Sequence, residues 1–103
     1  MKTAGYVITV LDFISPGHLD NYPVMEFCYS FSYAMKIFDK VFATTEEASK
    51  TAESVDLLFK LWEVKDMNIF DDIKLKRESH LSAEAYDVLL RDCRVVTQKT
   101  LVI

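Results

Sequence analysis

A chain of 103 residues, half of them hydrophobic, has enough apolar material to fold as one domain, which we place at residues 1–103, and is too short for two. Only two glycines and two prolines occur, which excludes collagen-like and low-complexity classes. The net charge of −4, from sixteen acidic and twelve basic residues, argues against direct binding of nucleic acid, because that function needs a concentrated basic surface.

The chain carries no pattern typical of a membrane protein or a secreted protein. Its apolar runs are far shorter than the ~20 residues of a membrane-spanning helix, and residues 1–13 lack a signal-peptide cleavage pattern. Cys28 and Cys93 have no metal-binding or redox spacing, so we expect two reduced thiols and no disulfide. We therefore predict a cytoplasmic protein that does not bind membranes.

The first predicted element is a strand at residues 6–13. This segment reads YVITVLDF and is apolar at both odd and even positions, as expected for a central strand that is covered on both faces of its sheet. A turn signal containing Pro16 and Gly17 follows it.

Residues 25–37 alternate between large apolar or aromatic side chains at odd positions and small or charged ones at even positions. Such alternation predicts a long strand with one apolar face. The alternative is a helix over residues 24–42, because Phe27, Phe31, Phe38 and their neighbours also follow helical spacing. The strand is favoured because a helix would leave Tyr29, Tyr33 and other large residues on its opposite face.

A helix is predicted from Thr44 to about Val64. The sequence Thr44-Thr45-Glu46-Glu47 has the form of a capping box, and an apolar stripe follows at helical spacing. Beyond Val55 this helix would be apolar around much of its circumference. Its second half is therefore expected to be deeply buried or to contact another chain.

The remaining segments complete the predicted fold. Residues 71–78 alternate like a solvated edge strand, Ser82 is expected to cap a second helix, and residues 94–103 have strand propensity. The order strand, strand, helix, strand, helix, strand predicts an α+β domain of two layers, with a mainly antiparallel sheet and two helices on one of its faces.

Few residues are candidates for chemistry. His18 with Asp20, and His80, could form a metal site or an acid–base pair, but histidines in loops are more often solvated surface residues. Cys93 could be a nucleophile, yet a position at the end of a helix raises the pKa of a thiol, which is the wrong direction. We predict no catalytic residue, no metal ligand and no cofactor, since the glycine-rich motifs that bind phosphate are also absent.

Two patterns of charge concern nucleic acid. Lys74, Lys76 and Arg77 form a basic cluster that nearby carboxylates are expected to neutralise on a solvated surface. Conversely, an acidic protein can mimic nucleic acid and block the basic groove of a partner, and the candidates for that role are Asp56, Glu63, Asp66, Asp71 and Asp72.

The sequence favours a non-enzymatic module that binds another protein, as an inhibitor or a regulatory protein. Its size and composition are typical of accessory proteins of phages and mobile elements. A small-ligand-binding or catalytic domain that uses His18, Asp20 and His80 is the alternative, and the acidic mimic is a further one. We expect a homodimer or a tight protein partner, because the apolar residues exceed what one helix face can bury. The predicted interface residues are Tyr29, Tyr33, Leu57, Leu58, Leu61 and Trp62.

Overall fold

The computed structural model describes residues 3–14, 21–22, 24–75, 81–82 and 91–103. Its elements in chain order are β1 (Gly5–Asp12), β2 (Asn21–Tyr22), β3 (Val24–Cys28), α1 (Phe31–Ala48), β4 (Asp56–Val64), α2 (Met67–Leu75), β5 (Leu81–Ser82) and β6 (Arg94–Val102). Apart from the two-residue strands β2 and β5, which pair with each other, the order is β-β-α-β-α-β. The predicted α+β class and order of elements are confirmed.

Within the described residues, one antiparallel sheet has the strand order β3-β1-β4-β6. Strand β1 is central, because Val7 pairs with Phe27 of β3 on one side and with Trp62 of β4 on the other. Consecutive residues from Tyr6 to Val10 are buried. The prediction of a central first strand covered on both faces is confirmed, and the prediction that residues 94–103 dock in the sheet is also confirmed by β6.

Residues 56–64 form strand β4, so the predicted helix from Thr44 to Val64 is wrong. Successive side chains of β4 alternate between the two faces of the sheet: Phe59 and Leu61 belong to one buried cluster, and Trp62 and Val64 belong to the other. A strand that is covered on both faces has apolar residues at both odd and even positions. The same pattern also fits a helix that is apolar around its circumference, which is why the sequence predicts a helix here.

The aromatic segment changes from strand to helix near its middle. β3 ends at Cys28 and α1 begins at Phe31, so the prediction of one strand over residues 25–37 is wrong beyond Cys28, and the helical alternative is correct from Phe31 onward. Ser30 is the N-cap: its backbone is extended, and its side-chain oxygen accepts a hydrogen bond from the backbone N–H of Tyr33 at 3.3 Å. Ala34 and Phe38, four residues apart, are completely buried against the sheet.

The predicted capping box lies in the last turn of α1. Thr45 is inside the helix, where its hydroxyl donates a hydrogen bond to the carbonyl of Val41 at 2.8 Å, and the helix ends at Ala48 with Ser49 as C-cap. The capping prediction is therefore wrong. Packing of Phe38 and its neighbours against the sheet continues the helix through a sequence that by itself favours a helix start.

Helix α2 replaces the strand predicted over residues 71–78, at least as far as Leu75. Asp66 begins this helix, because its carboxylate accepts a hydrogen bond from the backbone N–H of Asn68 at 2.8 Å. Residues 76–80 lie outside the described residues, and so do residues 83–90, on which the helix predicted after Ser82 falls.

The two described helices lie on opposite faces of the sheet. This differs from the prediction that both helices pack on one face. Helix α1 packs on the face that contains Tyr6, Ile8 and Phe59, and Phe70 of α2 packs against Val7 and Trp62 on the other face. A central strand that is apolar at both parities requires cover on both faces.

Phe70 approaches the sheet closely at Gly5. A Cβ atom at Gly5 would lie 2.5 Å from Cε1 of Phe70 and 2.9 Å from the carbonyl oxygen of Cys28. Glycine is therefore required here by space. The contact fixes α2 against the end of the sheet where β1 begins and β3 and β4 end.

Candidate protein-binding surface

The six residues predicted to form an interface separate into three groups. Tyr29 and Tyr33 are exposed, at 61% and 53% of their full surface. Leu57 and Leu58 are partly buried in β4. Leu61 and Trp62 have 0% and 1% exposure and lie in the core, so these two are not part of the surface of the folded chain. Their position in a central strand, and not on a helix, is the physical reason.

Three exposed aromatic side chains surround the junction of β3 and α1, and we call Tyr29, Phe31 and Tyr33 the aromatic cluster. Phe31 was not among the predicted interface residues, and it is 52% exposed. The three residues lie at alternate positions within five residues, at the end of the sheet that also carries Gly5 and the start of α2. Soluble proteins seldom expose several large apolar side chains so close together without a function.

Two residues of the aromatic cluster, Phe31 and Tyr29, are anchored by ring contacts. The ring of Phe31 meets Tyr6 of β1 edge-on, with centroids 5.9 Å apart, and the ring of Tyr29 meets Phe70 of α2 edge-on, with centroids 5.5 Å apart. Because Tyr6 and Phe70 belong to the two opposite faces, the aromatic cluster extends around the end of the sheet. The rings of Phe31 and Tyr29 are thus held in place by contacts on their inner sides, while their outer sides stay exposed.

The sequence contains a signal for the start of the helix at Phe31. Ser30 stands immediately before the helical stripe that continues through Ala34 and Phe38, which is the position of an N-cap. A helix that begins at residue 31 and buries positions 34 and 38 leaves Tyr33 outside its buried stripe. Of the large residues that argue against a helix, Tyr33 is exposed on α1, whereas Tyr29 precedes the helix.

Trp62 contributes to the interior through a buried hydrogen bond. Its indole N–H donates to the hydroxyl oxygen of Thr9 at 2.8 Å, and both side chains are almost completely buried. The ammonium of Lys60 lies 5.2 Å from the centroid of the indole ring. A buried indole N–H needs an acceptor, and Thr9, which lies on β1 diagonally across from Trp62, supplies one.

The acidic residues considered as a nucleic-acid mimic are dispersed. Asp56 begins β4 and Asp66 follows its end, roughly 30 Å away at the usual rise of a strand. Glu63 accepts a hydrogen bond from the Thr3 hydroxyl at 2.9 Å and pairs with Arg94 at 3.3 Å; the Thr3 bond, more than Arg94, lowers the pKa of Glu63. Asp71 is exposed, and the side chain of Asp72 lies outside the description.

The groups considered for catalysis or metal binding receive no support from the described residues. Burial, followed by the nearby carboxylates of Asp92 and Asp66, raises the pKa of the Cys93 thiol to about 11, which disfavours a nucleophilic thiolate. Cys28 is a buried thiol and Cys93 is a partly buried one. In the described part of the chain, no group of three or more His, Cys, Asp or Glu residues is arranged to hold a metal ion. The remaining candidates lie outside it: His18, Asp20 and His80, and the basic side chains Lys74, Lys76 and Arg77.

A second set of exposed apolar side chains lies at the opposite end of the sheet, where Phe13 and Ile14 follow β1 and Val102 and Ile103 end the chain. Phe13 is 50% exposed and provides a natural control for the aromatic cluster.

Neither α1 nor α2, the helices with described bounds, has the length and apolar character needed to span a membrane. Comparisons with protein-family models, curated proteins and solved structures found no match to this chain.

Proposed function

We propose that this chain is a non-enzymatic protein-binding module that acts as an inhibitor or regulatory protein, and that the aromatic cluster is part of its binding surface. The observation that carries this proposal is the exposure of Tyr29, Phe31 and Tyr33, each more than half accessible, within five residues at one end of the sheet.

The energetic argument rests on the kind of surface displayed. Burying a large apolar side chain stabilises a complex by roughly 1.5–3 kcal/mol, so three such side chains can supply a substantial share of a binding free energy. Tyrosine and phenylalanine are enriched at the centres of protein interfaces, and a tyrosine also offers a hydroxyl that both donates and accepts a hydrogen bond. The fitting partner is a protein with an apolar groove bordered by hydrogen-bonding groups.

The geometric argument rests on rigidity. Tyr29 and Phe31 are held by ring contacts from Phe70 and Tyr6, and Ser30 caps the helix that carries Tyr33. Side chains that are already ordered lose less conformational entropy when a partner binds. The aromatic cluster is in this sense prepared for a partner before the complex forms.

The test begins with a photo-crosslinking amino acid placed at position 33 and, as matched control, at position 13. Both sites carry an exposed aromatic residue, and they lie at opposite ends of the sheet. We expect a covalent adduct with one protein of the native host from position 33 and none from position 13. Equal labelling from both positions would contradict the proposal.

The captured protein is then produced in pure form and its binding is measured by calorimetry. Replacing Tyr29 and Tyr33 by Ala is expected to weaken binding by about tenfold or more, whereas Phe13→Ala leaves it within about twofold. Thermal melts verify that the variants fold. Unchanged affinity of a folded double variant would show that the aromatic cluster is not the binding surface.

A further inference from the structure

We propose that the chain forms a homodimer through antiparallel pairing of β6 with β6 of a second copy, which joins two sheets into one. This surface differs from the aromatic cluster: β6 is one edge of the sheet, and the aromatic cluster follows β3 at the other edge. The burial of Leu61 and Trp62 means that a surplus of apolar residues at 57–64 is not a reason to expect this dimer.

The direction of each backbone group in β6 follows from Ile103, the residue directly after this strand. The N–H of Ile103 donates to the carbonyl of Val55 at 2.8 Å, and the N–H of Val55 donates to the carbonyl of Ile103 at 3.1 Å. In an antiparallel pair such doubly bonded residues alternate with residues whose groups point away from the partner strand. With Leu57 opposite Leu101 and Phe59 opposite Lys99, the inward residues are Ile103, Leu101, Lys99 and Thr97.

The backbone N–H and C=O groups of Gln98, Thr100 and Val102 therefore point away from β4, along the free edge of the sheet. The side chains of these three residues are also exposed, Val102 to 69%. Among the described residues, β4 is the strand that pairs with β6, and none pairs along its outer edge. A row of outward N–H and C=O groups on an edge strand is a template for another strand.

A second copy is the occupant that this row fits. A two-fold axis at Thr100 places Thr100 opposite Thr100 of the second copy and Gln98 opposite Val102 of the second copy, so every outward N–H of these residues meets an outward C=O. Lys99 then lies opposite Leu101 of the second copy, so no cation directly opposes its own copy. The register is self-complementary, as the isologous interface of a two-fold dimer requires.

The features that commonly protect an edge strand do not block this segment. Lys99 is held over helix α1, where its ammonium lies 3.1 Å from Asp39 and 5.2 Å from the centroid of the Phe42 ring. The irregularity in pairing with β4 falls between Leu61 and Trp62, opposite Val96, which is outside residues 98–102. This segment also contains no proline.

Hydrogen exchange, read by NMR for each amide, tests the proposal on the wild-type chain. At high concentration we expect protection of the Gln98, Thr100 and Val102 amides, and dilution is expected to remove it. The inward amides of Lys99 and Leu101 are expected to stay protected at both concentrations, which provides an internal control. Light scattering on the same samples should report twice the chain mass at high concentration.

The variant Thr100→Pro removes one outward N–H without removing a bond to β4, and we expect a folded monomer. The matched control Thr100→Val keeps the N–H and the branched shape, and it is expected to remain a dimer.

A wild-type monomer at all concentrations, or a dimer in which the outward amides exchange freely, would overturn the proposal. A monomer is also the result expected if the outer edge of β6 pairs with a strand of another protein, so that case too would overturn it. Should Thr100→Pro fail to fold, the wild-type exchange pattern still decides. Variants of Tyr33 are expected to leave the mass unchanged, so failure of this proposal and failure of the proposed function are distinguishable.

Discussion

Strand β4 and the aromatic cluster are both rich in large apolar residues, yet they lie in opposite environments. From Phe59 to Val64 the chain is almost entirely buried, apart from Lys60 and Glu63, whereas Tyr29, Phe31 and Tyr33 are each more than half exposed. β4 has a neighbouring strand on each side and a covered face above and below. The difference teaches that apolar content indicates what a segment can bury, and that its neighbours decide whether it is buried.

The largest expected effect comes from placing the same charge in each region. Leu61→Asp buries an unpaired carboxylate in the core, and we expect loss of folding, a cost of more than about 4 kcal/mol. Tyr33→Asp puts a carboxylate in the exposed first turn of α1, where the helix dipole favours it, so stability is expected to change by less than about 1 kcal/mol. Circular dichroism melts measure both. Equal sensitivity of the two sites would remove the distinction between core and surface.

A smaller effect is expected at the buried hydrogen bond between Trp62 and Thr9. Thr9→Val keeps the shape of the side chain but leaves the indole N–H of Trp62 without this acceptor, at a cost of about 1–3 kcal/mol. Trp62→Phe removes the donor and also reduces packing. In a double-mutant cycle measured by urea unfolding, the two changes should be clearly non-additive. Additive costs would mean that the bond does not stabilise the fold.

A milder pair of substitutions distinguishes between the two candidate helix starts, Ser30 and Thr44. Ser30→Ala removes the N-cap of α1 and is expected to cost about 1 kcal/mol. Thr44→Ala changes an exposed position within the helix and is expected to alter stability by less than about 0.5 kcal/mol, because alanine is the better helix former. Denaturant midpoints measure both changes. A larger loss for Thr44→Ala would restore the capping box at residues 44–47 as the helix start.

The smallest effect concerns pH and Glu63. The Thr3 hydroxyl, with help from Arg94, holds the pKa of Glu63 below its ordinary value in the folded chain. Its contribution is therefore complete above the pKa of the unfolded state and is lost as the pH falls through the folded-state pKa. Urea midpoints between pH 7 and pH 3 should fall less steeply for Glu63→Gln than for the wild type. Parallel profiles would show that Glu63 is equally acidic in both states.

Sequence periodicity predicted the sheet where only one interpretation was available. Residues 6–13 and 94–103 have strand propensity without a competing helical stripe, and both are strands. The order of elements was also predicted, although several of the predicted elements lie elsewhere in the chain. For β4, apolar residues at both parities fit a buried strand and a buried helix equally well.

The aromatic cluster was predicted only in part, for a related reason. The sequence predicts Tyr29 and Tyr33 as interface residues on one strand, whereas Tyr29 lies between β3 and α1 and Tyr33 lies in the first turn of α1. The deciding contacts are non-local: Phe38 packs against β1 and β4, and Phe70 packs at Gly5. Local propensity contains no information on such contacts, so the capping signal at Ser30 does not by itself decide between strand and helix near residue 30.

Oxidative footprinting by hydroxyl radicals, read by mass spectrometry, tests the contrast between interior and displayed aromatic residues most directly. In the free chain we predict rapid oxidation of Tyr29, Phe31 and Tyr33 and protection of Phe59 and Trp62, with the latter pair becoming reactive only in denaturant. Addition of the protein captured at position 33 should protect the aromatic cluster and leave Phe13 unchanged. Oxidation of Trp62 as fast as Tyr33 in the native chain, or an aromatic cluster that stays equally reactive in the complex, would contradict the account.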